Sequence, residues 1–249
     1  MTVVVALAIA GCGGGGDSGG GGKPSRPLTV SAASSLKTAF LSYHSGHRYS
    51  FAGSDVLAAQ IKGGARPDVY AAANTKLPQQ LHKAGLLGKP VVFARNRLVL
   101  AVPAGGAKVK SLDDIAKPGV TIAVGSPSVP VGSYTRDVIG RLPRSQAKRI
   151  TANFRSSEPD VAGVVGKLTQ GAVDAGFVYA TDVKAAGGKL TAIQLPAKLQ
   201  PSVAYAAAVV RGTPLHHKAS GFVKGLLTGR GAAALSDAGF DPPPPGAAP

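Results

Sequence analysis

The chain has 249 residues with one cysteine, no tryptophan, 34 glycines and 19 prolines, and 28 Lys and Arg against 12 Asp and Glu give a formal net charge of +16. One cysteine excludes a disulfide framework and a cysteine-based zinc site, and no uninterrupted apolar stretch reaches the roughly 18 to 20 residues of a spanning helix. With 44% hydrophobic residues the length suits one large domain or two modest lobes, and the charge speaks to steering and solubility without selecting a partner.

Met1 to Ala10 is nearly all apolar and runs into Gly11-Cys12 and then a Gly-rich stretch from Gly13 to Gly22. Small residues before a lone cysteine resemble the lipobox of a bacterial lipoprotein. Residues 1–11 then read as a signal peptide, Cys12 as the lipid-carrying residue and residues 12–26 as a flexible tether. The alternative is a disordered leader with an incidental cysteine, since no Lys or Arg stands near Met1. Pro242 to Pro245 cannot continue a helix, so the folded body should end near Phe240 and residues 241–249 form a disordered Pro-rich tail.

Within the body, Leu28 to Ala32 reads as a strand, Ser34 and Ser35 as caps for a helix over Leu36 to Tyr43, and Tyr49 to Ala52 as a second strand. Gly53-Ser54 opens a helix that stops at Gly63-Gly64; Asp68 to Ala73 is a buried strand, and Asn74 or Thr75 caps a helix ending at Gly85. Leu98 to Val102 is a strand, Ser111 to Asp114 resembles a capping box, and Thr121 to Val124 is a strand followed by a helix over Ser133 to Leu142. Pro159 suits the first helical position of a segment whose Val161, Val164, Val165 and Leu168 share one face. Val173 to Tyr179 and Val203 to Val210 are further strands, and helices fill the rest up to Gly239. Alternating strands and helices predict an α/β protein with mainly parallel sheets flanked by helices.

Four helix starts are small, hydroxylic or Pro-containing: Ser34-Ser35, Gly53-Ser54, Val129-Pro130-Val131-Gly132 and Glu158-Pro159-Asp160-Val161. Free N–H groups and the positive end of the helix dipole make each start a possible anion site, and folds of this class bring such starts to one edge. Singly, each serine is more simply a plain N-cap, and only their joint occurrence points to a site.

The segments Val30-Ser31-Ala32-Ala33-Ser34-Ser35-Leu36, Phe51-Ala52-Gly53-Ser54, Val129-Pro130-Val131-Gly132-Ser133-Tyr134 and Gly176-Phe177-Val178-Tyr179-Ala180-Thr181-Asp182 occur in that order. Together they make a chain that resembles the molybdate-binding proteins of bacterial ABC importers, over nearly all of Leu28 to Phe240. The resemblance implies a two-lobed periplasmic binding protein of type II, with hinge strands crossing near Leu98 to Val102 and Ala204 to Ala208. Lobe 1 would comprise residues 27–98 and 207–240, and lobe 2 residues 99–206.

Carried over by position, Ser35, Ser54 and Tyr179 would give hydroxyl donors to molybdate or tungstate, and Val131 and Val161 backbone N–H donors. Tyr179 has the alternative of a buried strand tyrosine bonded within its own lobe. Valine stands at 131 where the family has alanine, which would put extra methyl groups near the anion. Asp68, Tyr134 and Asp182 match motif positions and read as structural, since a carboxylate facing a dianion repels it. Molybdenum would enter only as the oxyanion, with no cofactor and no other metal. The implied partners are an ABC permease and, through the lipid anchor, the outer face of the cell membrane, the chain acting as a monomer outside the cytoplasm. Between Leu36 and Phe51 there is less room than the family gives its first helix, which threatens the apolar cover over the first sheet.

Competing readings are weaker. Ser34-Ser35-Leu36-Lys37 matches the Ser-x-x-Lys of penicillin-interacting serine hydrolases, yet no Lys-Thr-Gly partner follows. Gly22-Lys23 puts Pro24 where a phosphate loop needs Ser or Thr. His44, His47, His216 and His217 lack accompanying carboxylates and read as solvated. Nucleic acid is not expected as a partner, because aromatic residues make up only 5% and do not interleave with the basic ones. Sulfate or another tetrahedral oxyanion is the nearest alternative ligand.

Overall fold

The computed structural model describes residues 26–106 and 108–245. The expected signal peptide, Cys12 and nearly all of the tether lie outside the described residues.

The chain first lays down β1 (Thr29–Ala33), α1 (Lys37–Tyr43), β2 (Arg48–Ala52), α2 (Ser54–Lys62), β3 (Val69–Ala72), α3 (Lys76–Lys83) and β4 (Val91–Asn96). It then builds β5 (Leu98–Pro103), β6 (Ile122–Gly125), α4 (Pro130–Gly140), α5 (Arg144–Ala152), β7 (Phe154–Glu158), α6 (Val161–Thr169), β8 (Ala175–Tyr179), α7 (Ala180–Ala185) and β9 (Leu190–Gln194). It closes with β10 (Val203–Val209), α8 (His216–Gly225) and α9 (Gly229–Asp237). Two five-stranded sheets result, ordered β2-β1-β3-β10-β4 and β7-β6-β8-β5-β9. The orders are equivalent: in each sheet the fourth strand is the one that has just arrived from the other lobe. That strand, β10 or β5, is antiparallel to both neighbours, while β1, β2 and β3, like β6, β7 and β8, pair in parallel. The sheets are therefore mixed, four strands running one way and one reversed, within the two-lobed α/β architecture expected from the sequence.

Several expectations need correction. All of β10 pairs within the first sheet, so the chain re-enters lobe 1 through residues 195–202 and not at 206–207. The outward crossing lies at Arg97, between β4 and β5, one residue before the boundary expected at Leu98. Ser111 to Asp114 forms no capping box: the Asp114 carboxylate accepts from the N–H groups of Lys110 and Ser111, each at 2.9 Å, and holds a short 3-10 turn. The tail begins later than expected, because Asp241 exchanges two backbone hydrogen bonds with Arg95 at the outer edge of β4, and the carbonyl of Pro242 accepts from the Arg95 side chain.

The short first helix is covered in another way. Phe40 on α1 meets Phe222 edge to face at 5.5 Å and packs near Phe93 and Tyr49, while Tyr43 lies 4.9 Å from Phe222 between ring centroids. A Cβ on Gly225 would fall 2.0 Å from the Tyr43 hydroxyl, so that glycine is what lets α8 approach. Aromatic area drawn from α8 thus covers the seven-residue α1.

His216 and His217 are exposed as expected, but His47 is 9% exposed and stacks on His44 at 3.8 Å. Its buried Nδ1 has no hydrogen-bond partner. Burial, then the neighbouring His44 and Lys218, lower its pKa to about 4, against weaker opposing pulls from the Gly46 backbone and then Asp68. A histidine with a lowered folded pKa contributes its full stability above its unfolded value near 6.5 and loses it as pH falls toward 4. With screening at the hydrated edge, the loss should be about 2 kcal/mol. Melting curves recorded from pH 7 to pH 4 should show a drop that His47→Phe removes, and parallel curves for the two proteins would contradict this.

Candidate functional site

The parallel strands deliver their C-terminal ends to helix starts, and five of those starts face one another. The N-cap residues are Ala33 for the 3-10 turn that leads into α1, Gly53 for α2, Val129 for α4, Asp160 for α6 and Tyr179 for α7. All five line one cleft between the lobes, with an empty volume of about 210 Å³ including its mouth. Ser35, Ser54, Val131, Val161 and Tyr179, the residues singled out from the sequence, all line it.

First-turn N–H groups have no carbonyl to bond within the helix. On α4 this leaves the N–H groups of Val131 and Gly132, since Ser133 is the first to bond back, to Val129. On α6 it leaves those of Val161 and Ala162, because Gly163 N–H is taken by the Asp160 carboxylate at 2.9 Å. Each helix adds about half a positive charge at its start. Among the described residues no Lys, Arg or His lines the cleft, and its one acidic side chain, Asp160, is engaged by the Gly163 N–H, so what the cleft offers an anion is oriented N–H and O–H dipoles.

The three hydroxyls are arranged to donate. Ser54, 1% exposed, accepts from the Ala73 N–H at 3.1 Å, which fills a lone pair and leaves its proton free. Tyr70 donates to the Ser54 carbonyl at 2.7 Å and fixes that turn. Ser35 Oγ lies 2.9 Å from the Tyr205 hydroxyl. The Tyr179 hydroxyl is buried with no hydrogen-bond partner, and burial raises its pKa well above the tyrosine range, so it keeps its proton. Tyr205 is close enough to add to that rise, but the two hydroxyls do not meet in hydrogen-bond geometry.

Val131 is oriented in a way the sequence did not suggest. One of its methyl groups would lie 2.6 Å from a Cβ on Gly125, so it is turned toward that residue at the end of β6. Asp68 holds its own lobe, accepting from Thr29 N–H at 2.7 Å and from the Thr213 hydroxyl. Asp182 accepts from Tyr179 N–H at 2.9 Å; burial pushes its pKa up to about 7, with that hydrogen bond opposing and the charge of Asp160 adding to the rise.

Two positioning residues escaped the sequence reading. Asp160 caps α6 with its side chain, so the helix begins at Val161 and Pro159 lies in the preceding turn, where the sequence suggested the first helical position. The cue was available: Asp is a strong N-cap, and three residues later Gly163 offers the N–H it needs. Arg136 donates to the carbonyls of Gly125 and Gly132, at 2.9 and 2.8 Å, and ties the start of α4 to the end of β6. Its pairing with Gly132 follows helical i, i+4 spacing, but the bond to Gly125 needs the fold.

Lys37, the base required by a Ser-x-x-Lys hydrolase, is exposed. Among the described residues no group of three or more His, Cys, Asp or Glu is placed to hold a metal ion, and no helix is long and apolar enough to cross a membrane.

The model of the bacterial extracellular solute-binding protein family matches residues 29–241. The molybdate-binding protein ModA of Mycobacterium tuberculosis is 34% identical over 258 residues, covering 97% of each chain. Among solved structures, the periplasmic molybdate-binding protein of Azotobacter vinelandii superposes with a TM-score of 0.77 at 23% identity, over 87% of this chain and 99% of its own. The sulfate-binding protein SubI of Mycobacterium tuberculosis superposes with a TM-score of 0.76 at 18% identity, over 89% and 88%.

Proposed function

The chain belongs to the bacterial extracellular solute-binding protein family, and on that premise we propose that it captures molybdate or tungstate between its lobes and delivers the ion to an ABC permease. The observation that carries this reading is the convergence of five helix N-caps and three hydroxyl donors on a cleft that, among the described residues, has no basic side chain in its lining. Ser35, Ser54 and Tyr179 give O–H donors, and Val131 and Val161 give N–H donors. A fully ionised tetrahedral oxyanion accepts from all of them, whereas a protonated phosphate brings an O–H against a donor. Molybdate is preferred over sulfate because its larger shell reaches donors on both lobes at once. The 34% identity to a protein named for molybdate supports that choice. Closure of the lobes shields the ion and completes the surface that a permease reads. The protein works outside the cytoplasm as a monomer, tethered through a lipid on Cys12.

Thermal melts with molybdate, tungstate, sulfate and phosphate test the ligand class. At a thousandfold excess over the dissociation constant, a ligand adds about 4 kcal/mol, or roughly 8 to 16 °C for a body of this size. A shift with molybdate or tungstate alone is the expected outcome; a shift with sulfate alone would move the assignment to sulfate, and none with any of the four would end it.

The unpartnered Tyr179 hydroxyl gives a second test. Removing a buried donor that nothing accepts relieves its desolvation cost, about 1 to 3 kcal/mol. Tyr179→Phe should therefore raise the melting temperature of the ligand-free protein while weakening molybdate binding about tenfold. Calorimetric titration beside a melt reads both, and a variant that loses stability without losing affinity would remove Tyr179 from the site.

A further inference from the structure

We infer that Tyr205, held by Asn96 at the hinge, turns the Ser35 hydroxyl into a donor-only group and thereby sets the preference of the cleft for unprotonated oxyanions. This inference rests on the proposed oxyanion site and extends it to two residues outside the cleft lining.

The direction of each proton follows from the one before it. At the crossing between the lobes, the Arg97 N–H donates to Asn96 Oδ1 at 2.8 Å, which fixes the amide so that Nδ2 faces the other way. That Nδ2 donates to Thr181 Oγ1 of lobe 2 at 2.9 Å and, more weakly, toward the Tyr205 oxygen at 3.5 Å. Asn96 is 6% exposed, Thr181 4% and Tyr205 fully buried, so water does not compete for these bonds. Burial keeps Tyr205 protonated, and in its 2.9 Å pair with Ser35 Oγ, where either hydroxyl can donate, we assign the donor role to Tyr205 because Asn96 already donates toward its oxygen. The Ser35 proton is then left with the cleft, which Ser35 lines. Ser54 reaches the same state through the Ala73 N–H.

The chemical consequence is selectivity. A free serine hydroxyl can rotate, donating to an oxyanion or accepting from a hydroxyl on the ligand. Ser35 held by Tyr205 cannot rotate without stranding the buried tyrosine proton, so the O–H of hydrogen phosphate meets the Ser35 O–H head on. Molybdate and tungstate, fully ionised near neutral pH, meet no such conflict. Because Asn96 ends β4 and Thr181 opens α7, the relay also spans the two lobes at the point where they hinge. Donor direction and lobe position are thus set by the same bonds.

The test is a double-mutant cycle read by calorimetric titration with molybdate and with phosphate, the latter below and above its second ionisation. Tyr205→Phe should weaken molybdate binding about tenfold and Ser35→Ala similarly, while the double variant binds no more weakly than Ser35→Ala alone. Tyr205→Phe should also narrow the ratio of molybdate to hydrogen phosphate affinity, a change that loosened packing alone would not produce. If Tyr205→Phe folds poorly, Asn96→Asp replaces it: the carboxylate accepts a hydrogen bond from the Tyr205 hydroxyl, which keeps its proton, so the relay is reversed and the same ratio narrows. Additive losses in the cycle, or an unchanged ratio, overturn the inference while leaving the proposed function intact. Absence of oxyanion binding by the unsubstituted protein overturns the proposed function and this inference with it.

Discussion

Gly53→Ala should lower molybdate affinity by about a hundredfold or more while leaving the ligand-free protein as stable as before. A Cβ at this position would lie 2.4 Å from the Pro159 carbonyl oxygen and 3.3 Å from a Val129 methyl, both belonging to lobe 2, and 2.8 Å from Asp55 Oδ1 of its own lobe, a side-chain atom that can turn aside. Gly53 itself sits at φ −57° and ψ 136°, a conformation alanine adopts without strain. The part of the conflict that no side-chain rotation relieves is thus confined to the approach of one lobe to the other. A protein with its lobes parted avoids it entirely, and restricting the unfolded chain gains a few tenths of a kcal/mol. The bound state has no such escape. Keeping the lobes apart by even an ångström lengthens the bonds from Val131, Val161 and Tyr179 together, and hydrogen bonds to a charged group contribute about 1.5 to 3 kcal/mol each. Losing two of them accounts for a hundredfold. Titration calorimetry and a ligand-free melt separate the two effects, and unchanged affinity would mean that the lobes do not close this far on the ion.

How much of this could be read from the chain alone depends on where each element lies in its sheet. The central strands β3, β8, β6, β5 and β10 appear as unbroken apolar runs, and β1 as a buried run broken only by Ser31, so they were legible. The strands that were missed, β4, β7 and β9, are edge strands with one side open. β7 reads Phe-Arg-Ser-Ser-Glu with no fully buried residue, and nothing in that composition separates it from a loop. Helix α5 buries only Ile150 and reads as a solvated charged stretch. The cleft was more legible than the fold, because helix starts need Ser, Gly, Pro or Asp at set places. Tyr179 was the exception: nothing in a strand ending Val178-Tyr179 marks the tyrosine as a ligand group, and only the family resemblance supplied it. Asn96 and Tyr205 gave no signal. Their meaning arises where the chain crosses between lobes and brings residues 109 apart in sequence within 3.5 Å.

The same logic applied inside a lobe predicts the opposite kind of damage from a second glycine. A Cβ on Gly132 would fall 1.9 Å from the Ser126 carbonyl oxygen and 2.5 Å from that of Gly125. Both atoms are backbone, so no side chain can rotate away, and they belong to the last residue of β6 and the first of the turn that leads into α4. Opening the cleft brings no relief. The first turn of α4 must instead move off β6, which stretches the two bonds by which Arg136 holds Gly125 and Gly132 together. Backbone overpacking of this severity, with a disrupted buried network, costs about 3 to 5 kcal/mol. Gly132→Ala should therefore lower the melting temperature by roughly 10 °C with or without ligand. It should also lose molybdate binding, because the N–H groups of Val131 and residue 132 no longer point where α4 aimed them. Gly53→Ala and Gly132→Ala thus form a matched pair, one changing affinity alone and the other affinity and stability together. Equal stability of both variants would show that the turn before α4 is looser than its carbonyl contacts imply, and that the orientation of the N–H donors is set elsewhere in lobe 2.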